Sequence, residues 1–304
     1  MPKRVLIVYY SQTGQLKDIV DSIAGPLEKS DRISVVFEEL KPKIPFPFPW
    51  KSDEFFQVMP ESVKAIPCDL QPLSLGGQED FDLIILAWQP WFLSPSLPVH
   101  AFLQHNTAKK ILEGKPVITL IGSRNMWVAA QERIREYLQP LHANLAGNIV
   151  LYDKAPNLLS VFSIIRWLFT GHKGRYLGII PPAGISVKDI RGASRYGELI
   201  LSALLNDDLG NLRNELIREG AVDVLPELVM LEKRGIVFFR LWASFILRKG
   251  LYGDPARLTR VRLFKYYLLA VLYLVSPFAT LLFYITKPFR KKAIKKQISL
   301  YQLH

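Results

Sequence analysis

The chain is poor in the residues that build most metal and nucleophile sites. Among 304 residues there is one cysteine, Cys68. An internal disulfide is therefore excluded, and a reducing compartment is the natural setting. Cys68 itself reads as a thiol without chemistry. The five histidines, His100, His105, His142, His172 and His304, are dispersed. No metal-spaced His/Cys cluster, Ser-His-Asp set or pair of acids stands out, so no metal is expected and no catalytic residue is assigned. The G-x-x-x-x-G-K-[ST] loop of nucleoside triphosphate sites is missing, and so is the dinucleotide fingerprint G-x-G-x-x-G. A secretory leader is not expected, because the first apolar run, Val5 to Tyr10, is short and a sheet needs it.

Acids are almost absent from the last quarter. From Arg234 onward, 14 Lys/Arg face the single acid Asp254, a net +13. Residues 1–233 carry 25 Lys/Arg and 26 Asp/Glu, a net −1. The basic character of the chain, +12 overall, thus says little about its first three quarters. Hydrophobic residues make up 49% and the mean hydropathy is +0.14, high for a purely soluble protein.

What is present is organised around Arg4 to Leu16, RVLIVYYSQTGQL. Val5 to Tyr10 is a continuous apolar run rich in β-branched and aromatic residues, which predicts a strand buried on both faces. Ser11 to Gly14 break it. Leu16, Ile19, Val20, Ile23, Ala24 and Leu27 then recur on one helical face. Strand, tight polar loop and helix in that order aim backbone N–H groups and the positive end of a helix dipole at one point. Two hydroxyls, Ser11 and Thr13, and the permissive Gly14 complete an anion cradle, with phosphate the expected anion. The plainer alternative is a capped strand-to-helix turn.

Further strands are expected at Ile33 to Leu40, Phe81 to Ala87, Pro116 to Ile121 and Gly147 to Asp153. The four prolines of Lys41 to Trp50 force an extended loop. Asp53 to Ala65 suggests a short helix, and Cys68 to Asp80 a loop. Helices are expected at Pro98 to Ile111, after Trp127 and at Ala193 to Leu205. Five short strands alternating with helices predict an α/β, doubly wound parallel sheet. Ligands of such sheets sit beyond the strands' carboxyl ends. Three polar loops lie there: Ser11 to Gly14, Trp88 to Pro98, and Gly122 to Trp127.

At these loops the chain resembles flavodoxin-like FMN oxidoreductases. S-Q-T-G-Q resembles their phosphate loop. PWFLSPSLP is similar to the P-x-x-x-S-P-x-P pattern of the NAD(P)H-dependent FMN and quinone reductase branch, and GSRNMW to the loop holding the other flavin edge. The resemblance implies a flavodoxin-like five-stranded fold, FMN as cofactor and NAD(P)H as an optional reductant. The implied cofactor-binding set is Ser11, Gln12, Thr13, Gly14, Gln15 and Leu16 from the first loop and Pro90, Trp91, Phe92 and Leu93 from the second. Gly122, Ser123, Arg124, Asn125, Met126 and Trp127 complete it. Trp88, Trp91 and Trp127 are candidates for the flat face an isoalloxazine needs, and Trp91 departs from the smaller or different aromatic of many flavodoxins. Arg124 is a candidate to balance a reduced flavin, or simply a surface cap. His100, just after the second loop, is a candidate proton acceptor, with a surface role at a helix start the preferred reading.

A narrower resemblance rests on YYSQTGQLKDIVDSI, GSRNMW and the basic hydrophobic tail. These are similar to the dialkylresorcinol condensing enzyme family, which implies aromatisation of an alkylated cyclohexanedione beside a ketosynthase partner. The rivals are an NAD(P)H-dependent quinone reductase, a porphyrinogen oxidase, a membrane-tethered electron carrier and a flavin-free scaffold.

The sheet domain is expected to span residues 1–206, with an apolar insertion at about 155–190 that contains Asn157 to Thr170, NLLSVFSIIRWLFT. A helical, basic extension occupies 207–304. Within it, Tyr266 to Ile285 is free of charge and flanked by basic clusters. Its length suits a bilayer, but both flanks favour the same, cytoplasmic face and Ser276-Pro277 suggests a break. Two half-helices dipping into one leaflet, with cations on anionic headgroups, satisfy both facts. A true span and a buried helix pair, in the fold or in a homodimer interface, are the alternatives. The expected location is cytoplasmic, peripheral or monotopic on the inner face of the cell membrane. Nucleic acid is not expected as a partner, because the cations accompany long apolar runs rather than spaced stacking aromatics.

Overall fold

The computed structural model describes residues 2–302; His304 lies outside them. In chain order the elements begin β1 (Lys3–Tyr9), α1 (Gln15–Glu28), β2 (Ile33–Glu39), α2 (Ser52–Gln57), α3 (Met59–Lys64) and β3 (Leu83–Trp88). A two-strand hairpin, β4 (Pro90–Trp91) and β5 (Ser94–Pro95), precedes α4 (Leu97–Gln104), α5 (Asn106–Leu112), β6 (Pro116–Ser123), α6 (Val128–Leu138) and β7 (Asn144–Tyr152). Then come α7 (Asn157–Thr170), α8 (Val187–Gly192), α9 (Ser194–Leu205), α10 (Leu209–Arg218) and α11 (Pro226–Leu247). The tail holds α12 (Leu258–Ala270), α13 (Ser276–Thr286) and α14 (Lys291–Gln302).

The main sheet has the order β2-β1-β3-β6-β7 and every pair is parallel. This is the flavodoxin-like doubly wound order, with its switch point between β1 and β3. The apolar runs explain it: all six residues of β3, LIILAW, are buried, as a sheet covered on both faces requires. Val5 to Val8 and Leu83 to Leu86 sit side by side in the centre of the core.

Several helices differ from the sequence expectation. Pro98 to Ile111 is two helices, because His105 takes an extended backbone and its ring caps α5 by accepting from Thr107 N–H at 3.2 Å. The stretch Asp53 to Ala65 is likewise two short helices, α2 and α3. The break expected at Pro277 is absent. Helical structure runs from Pro255 to Gln302, and a π-turn at Val271–Val275 immediately precedes Pro277. Widening the ladder there accommodates a residue that has no N–H to donate.

The extension packs onto the body. Phe239, Ala243 and Ile246 of α11 and Val261 and Phe264 of α12 form one cluster with Phe56, Met59 and Val63 of α2 and α3. At the far end, Tyr301 is buried against the main core and its hydroxyl meets Glu132 Oε1 at 3.1 Å. Between these anchors lies a largely exposed apolar stretch, including Leu274, Phe278, Leu281, Leu282 and Ile285. The Pro255–Gln302 helix is long and apolar enough to cross a membrane.

Candidate functional site

All three strand-end loops converge on one cleft. Its lining includes Gln12, Thr13, Gln15 and Leu16 from the first loop, Pro90, Trp91 and Phe92 from the second, and Gly122, Ser123 and Arg124 from the third. The cleft is open at its mouth, and its cavity volume is about 170 Å³.

The first loop supplies an anion cradle. Gly14 sits at φ +83°, where a side chain would be strained, and turns the chain into α1. Ser11 Oγ accepts from Lys17 N–H at 3.2 Å, capping the helix. Among the described residues, the backbone N–H groups of Gly14, Gln15 and Leu16 have no acceptor. Three aligned donors at a helix N-terminus are a site for phosphate or carboxylate. The long side chains of this loop are otherwise engaged. Gln12 accepts from Tyr10 OH at 2.6 Å and donates to Pro47 O at 2.9 Å, fastening the proline loop. Gln15 donates to Ile185 O at 3.1 Å and accepts from Ile185 N–H at 3.0 Å, fastening the segment beside Gly184. Leu16 is core.

The second loop is a strained hairpin. Phe92 and Leu93 both adopt positive φ, +52° and +61°, as the tight turn between β4 and β5 demands. A buried chain of polar groups holds it. Ser62 Oγ contacts the carbonyls of Trp91 at 2.9 Å and Pro95 at 3.0 Å, and Ser94 Oγ donates to Ser62 O at 2.8 Å. His100 Nε2 lies 3.0 Å from Ser94 Oγ, and its Nδ1 lies 3.0 Å from Tyr137 OH. Gln104 Nε2 donates to that same hydroxyl at 3.1 Å. The donors and acceptors close if Nε2 carries the proton and Nδ1 accepts from Tyr137. Burial, with Arg133 adding to it, lowers the imidazole to about 3, so it is neutral. The surface role expected for His100 is therefore wrong: it is fully buried beneath the hairpin and does not line the cleft.

The third loop leaves Ser123 Oγ and Asn125 Oδ1 buried without a partner among the described residues. Arg124 donates to Asn157 Oδ1 at 2.7 Å, at the start of α7. Burial lowers its guanidinium to about 10, opposed by Asp153 and Glu232, so it remains a cation at neutral pH. The N-terminus of α6 is occupied from the extension: Glu232 Oε2 accepts from Ala129 N–H at 2.8 Å.

Six members of the expected set do not line the cleft: Ser11, Gly14, Leu93, Asn125, Met126 and Trp127. Trp127 and Trp88 are core residues: Trp88 is the last residue of the buried strand β3, and Trp127 is the N-cap residue of α6, past the polar loop that follows β6. Leu93 points toward the extension; a Cβ built on Gly235 of α11 would lie 3.1 Å from its Cδ1. Trp91 remains as the cleft tryptophan of the three and packs edge-on against Phe46 at 5.1 Å and Trp50 at 5.8 Å.

The sequence reading missed much of the apolar wall. Trp50 and Phe55 enter from the proline loop and α2, and Ile164, Trp167 and Leu168 from α7. Trp50 N–H donates to Leu168 O at 2.7 Å, joining the two. The signal was the unusual apolarity of NLLSVFSIIRWLFT, which marks a helix with something to cover on more than one side.

No family model matches the chain, and no curated protein matches it. Among solved structures, a flavoprotein from Lactobacillus acidophilus in complex with FMN is 18% identical at a TM-score of 0.37. The match covers 48% of this chain and 91% of that one. Candidate flavoproteins from Bacteroides eggerthii and Bacteroides uniformis are 13% and 14% identical, each at a TM-score of 0.36. They cover 46% and 47% of this chain and 83% and 86% of theirs.

Proposed function

We propose that the chain is a membrane-associated, FMN-dependent oxidoreductase acting on a lipophilic ring substrate, with aromatisation of an alkylated cyclohexanedione to a dialkylresorcinol as its reaction. The observation that carries this reading is the meeting of an unoccupied set of N–H donors with a wall of aromatic side chains in one cleft at the sheet's switch point.

The residues fit FMN. Gly14, Gln15 and Leu16 N–H and the Thr13 hydroxyl suit a phosphate monoester. Trp50, Trp91 and Trp167 offer flat apolar surface to a ring system. Ser123 Oγ, in the lining of the cleft, is a buried polar atom still lacking a partner, of the kind that a bound polar ring edge satisfies. Bound FMN would supply the two-electron acceptor needed when a cyclohexanedione loses two hydrogens and tautomerises to a resorcinol. Arg124 places a positive charge at the cleft, favouring an anionic ring. The apolar wall excludes water and orients a lipophilic partner.

Mixed anaerobically with a dialkylcyclohexanedione, the yellow protein should bleach and yield the resorcinol. Bleaching by NAD(P)H with no response to the dione would make it a quinone reductase instead. Turnover of neither, with electron exchange to a protein partner, would make it a carrier. A ketosynthase is the proposed supplier of substrate.

A further inference from the structure

α7 faces two ways. Its inner side, Ile164, Trp167 and Leu168, lines the cleft, and Val161 and Ser163 are buried. Its outer side presents Leu158, Leu159 and Phe162, each about 40% exposed. The chain after it adds to that outer side. Tyr176 and Ile180 bridge to each other, and Tyr176 stacks on Phe162 at 6.5 Å. Between them a three-residue turn lifts Leu177, at φ +50°, and Ile179 to 71% and 75% exposure. A strained turn whose tip is leucine and isoleucine is a poor solution for a surface that meets only water.

The charge around it has one sign. Residues 154–188 contain no Asp or Glu and five cations: Lys154, Arg166, Lys173, Arg175 and Lys188. Lys154 pairs with Asp189 at 2.7 Å. Among the described residues, Arg166, Lys173 and Arg175 have no carboxylate within ion-pair distance. Instead they are held by local structure. Arg166 donates to His172 O at 3.0 Å and lies over the Tyr176 ring, and Lys173 lies over Trp167. Exposed apolar side chains ringed by unpaired cations match an anionic lipid surface, where burial and headgroup attraction act together.

We infer that α7 and the Tyr176–Ile180 turn form a second bilayer-contact surface, separate from the tail, and that lipophilic substrate passes along this helix from the lipid into the cleft. The route rests on the proposed function for its substrate; the contact surface does not. One helix then has the bilayer on one side and the cleft on the other, so a lipophilic molecule need not cross water to reach Trp167.

The test uses the full chain with Cys68→Ser and a single new cysteine carrying an environment-sensitive fluorophore. Leu177→Cys reports on the turn, and Asp207→Cys, beside Lys3 at the opposite end of β1, serves as the control. On adding vesicles of equal phosphatidylglycerol and phosphatidylcholine, the label at 177 should shift to the blue and be quenched by nitroxide lipid, while the label at 207 stays unchanged. Protein that pellets with the vesicles while the 177 label does not respond would overturn the surface, leaving the tail as the sole contact. A 177 label already shielded without lipid, more so at higher protein concentration, would also overturn it in favour of a second copy of the chain. Neither readout needs flavin or turnover, so each stands apart from failure of the FMN reading. For the route, Phe162→Asp should slow turnover of vesicle-borne substrate severalfold at unchanged flavin content and leave a short-chain, water-soluble analogue unaffected. Equal slowing of both would overturn it.

Discussion

The Arg257 guanidinium and the Glu61 carboxylate form a buried bidentate pair, at 2.5 and 2.9 Å. Arg257 also donates to the carbonyls of Gln57 and Gly250. The pair links the start of the tail helix to α3, next to the aromatic cluster of Phe56, Phe239 and Phe264. Glu61 thereby makes the extension part of the folded body.

Arg257→Met should cost about 3–5 kcal/mol, because it leaves a buried carboxylate alone. Adding Glu61→Leu should recover most of the loss, read as the denaturation midpoint in urea. Truncation after Lys233 should give an insoluble chain, since it also uncovers Met59, Val63, Phe92 and Leu93. A soluble, cooperatively folding truncated chain would show that the cluster contributes little.

Thr13→Glu should abolish flavin retention, because a carboxylate would then face the same donors as the phosphate. The native protein should release FMN, not FAD, on denaturation. Unchanged FMN affinity in the variant would move the phosphate site away from α1.

The buried His100 makes the hairpin acid-sensitive. The native imidazole stays neutral to about pH 3, whereas the unfolded chain takes its proton near 6.5. Its contribution is complete above pH 6.5 and is lost as pH falls toward 3, at up to about 1.4 kcal/mol per pH unit. His100→Gln should flatten that slope. An imidazole NMR titration centred near pH 6 would contradict the assignment.

Glu232 acts in the opposite direction. Burial pushes its carboxyl up to about 8, partly opposed by the Ala129 N–H. The native acid therefore keeps its proton after the unfolded one, near 4.3, has lost it. Stability from this group is complete below pH 4.3 and is lost as pH rises toward 8. Glu232→Gln should remove the decline in thermal stability between about pH 4.3 and 8; a variant with the same decline as wild type would place its cause elsewhere.

The strands were legible because each is a short apolar run that the parallel sheet buries on both faces, and Val5 to Val8 shows this plainly. The three loops were legible because they sit where such runs stop. What escaped was everything set by contacts between distant residues. Gln15 looks like a phosphate-loop residue, yet its amide is used up on Ile185, 170 positions away. Nothing near Trp50 or Trp167 in sequence says that Trp50 N–H will bond Leu168 O and bring both rings to one cleft. Pro277 was misread for a local reason: a π-turn takes up the missing hydrogen bond, and no residue pattern announces one.

The same continuity bears on how the tail would meet a membrane under the proposed function. Arg257 at one end pairs with Glu61, and Tyr301 near the other end meets Glu132, so both ends of the apolar stretch are anchored to one body. A helix that crossed a bilayer of about 30 Å would carry one anchor to the far side. The exposed run from Leu274 to Ile285 and the cations Lys287, Arg290, Lys291 and Lys292 instead suit one leaflet and its headgroups. Burial should contribute roughly 25 cal/mol per Å² of apolar surface and each cation at the headgroups about 1 kcal/mol. Full-length protein should therefore pellet with anionic vesicles and be only partly released by high salt, which screens the charges and leaves the burial intact. Cysteines placed at the exposed Leu251 and at Lys296, in a Cys68→Ser background, should both be labelled from the cytoplasmic side alone. Labelling of the Lys296 site from the opposite side would mean that the segment spans, and that Tyr301 leaves Glu132 when the protein enters a membrane.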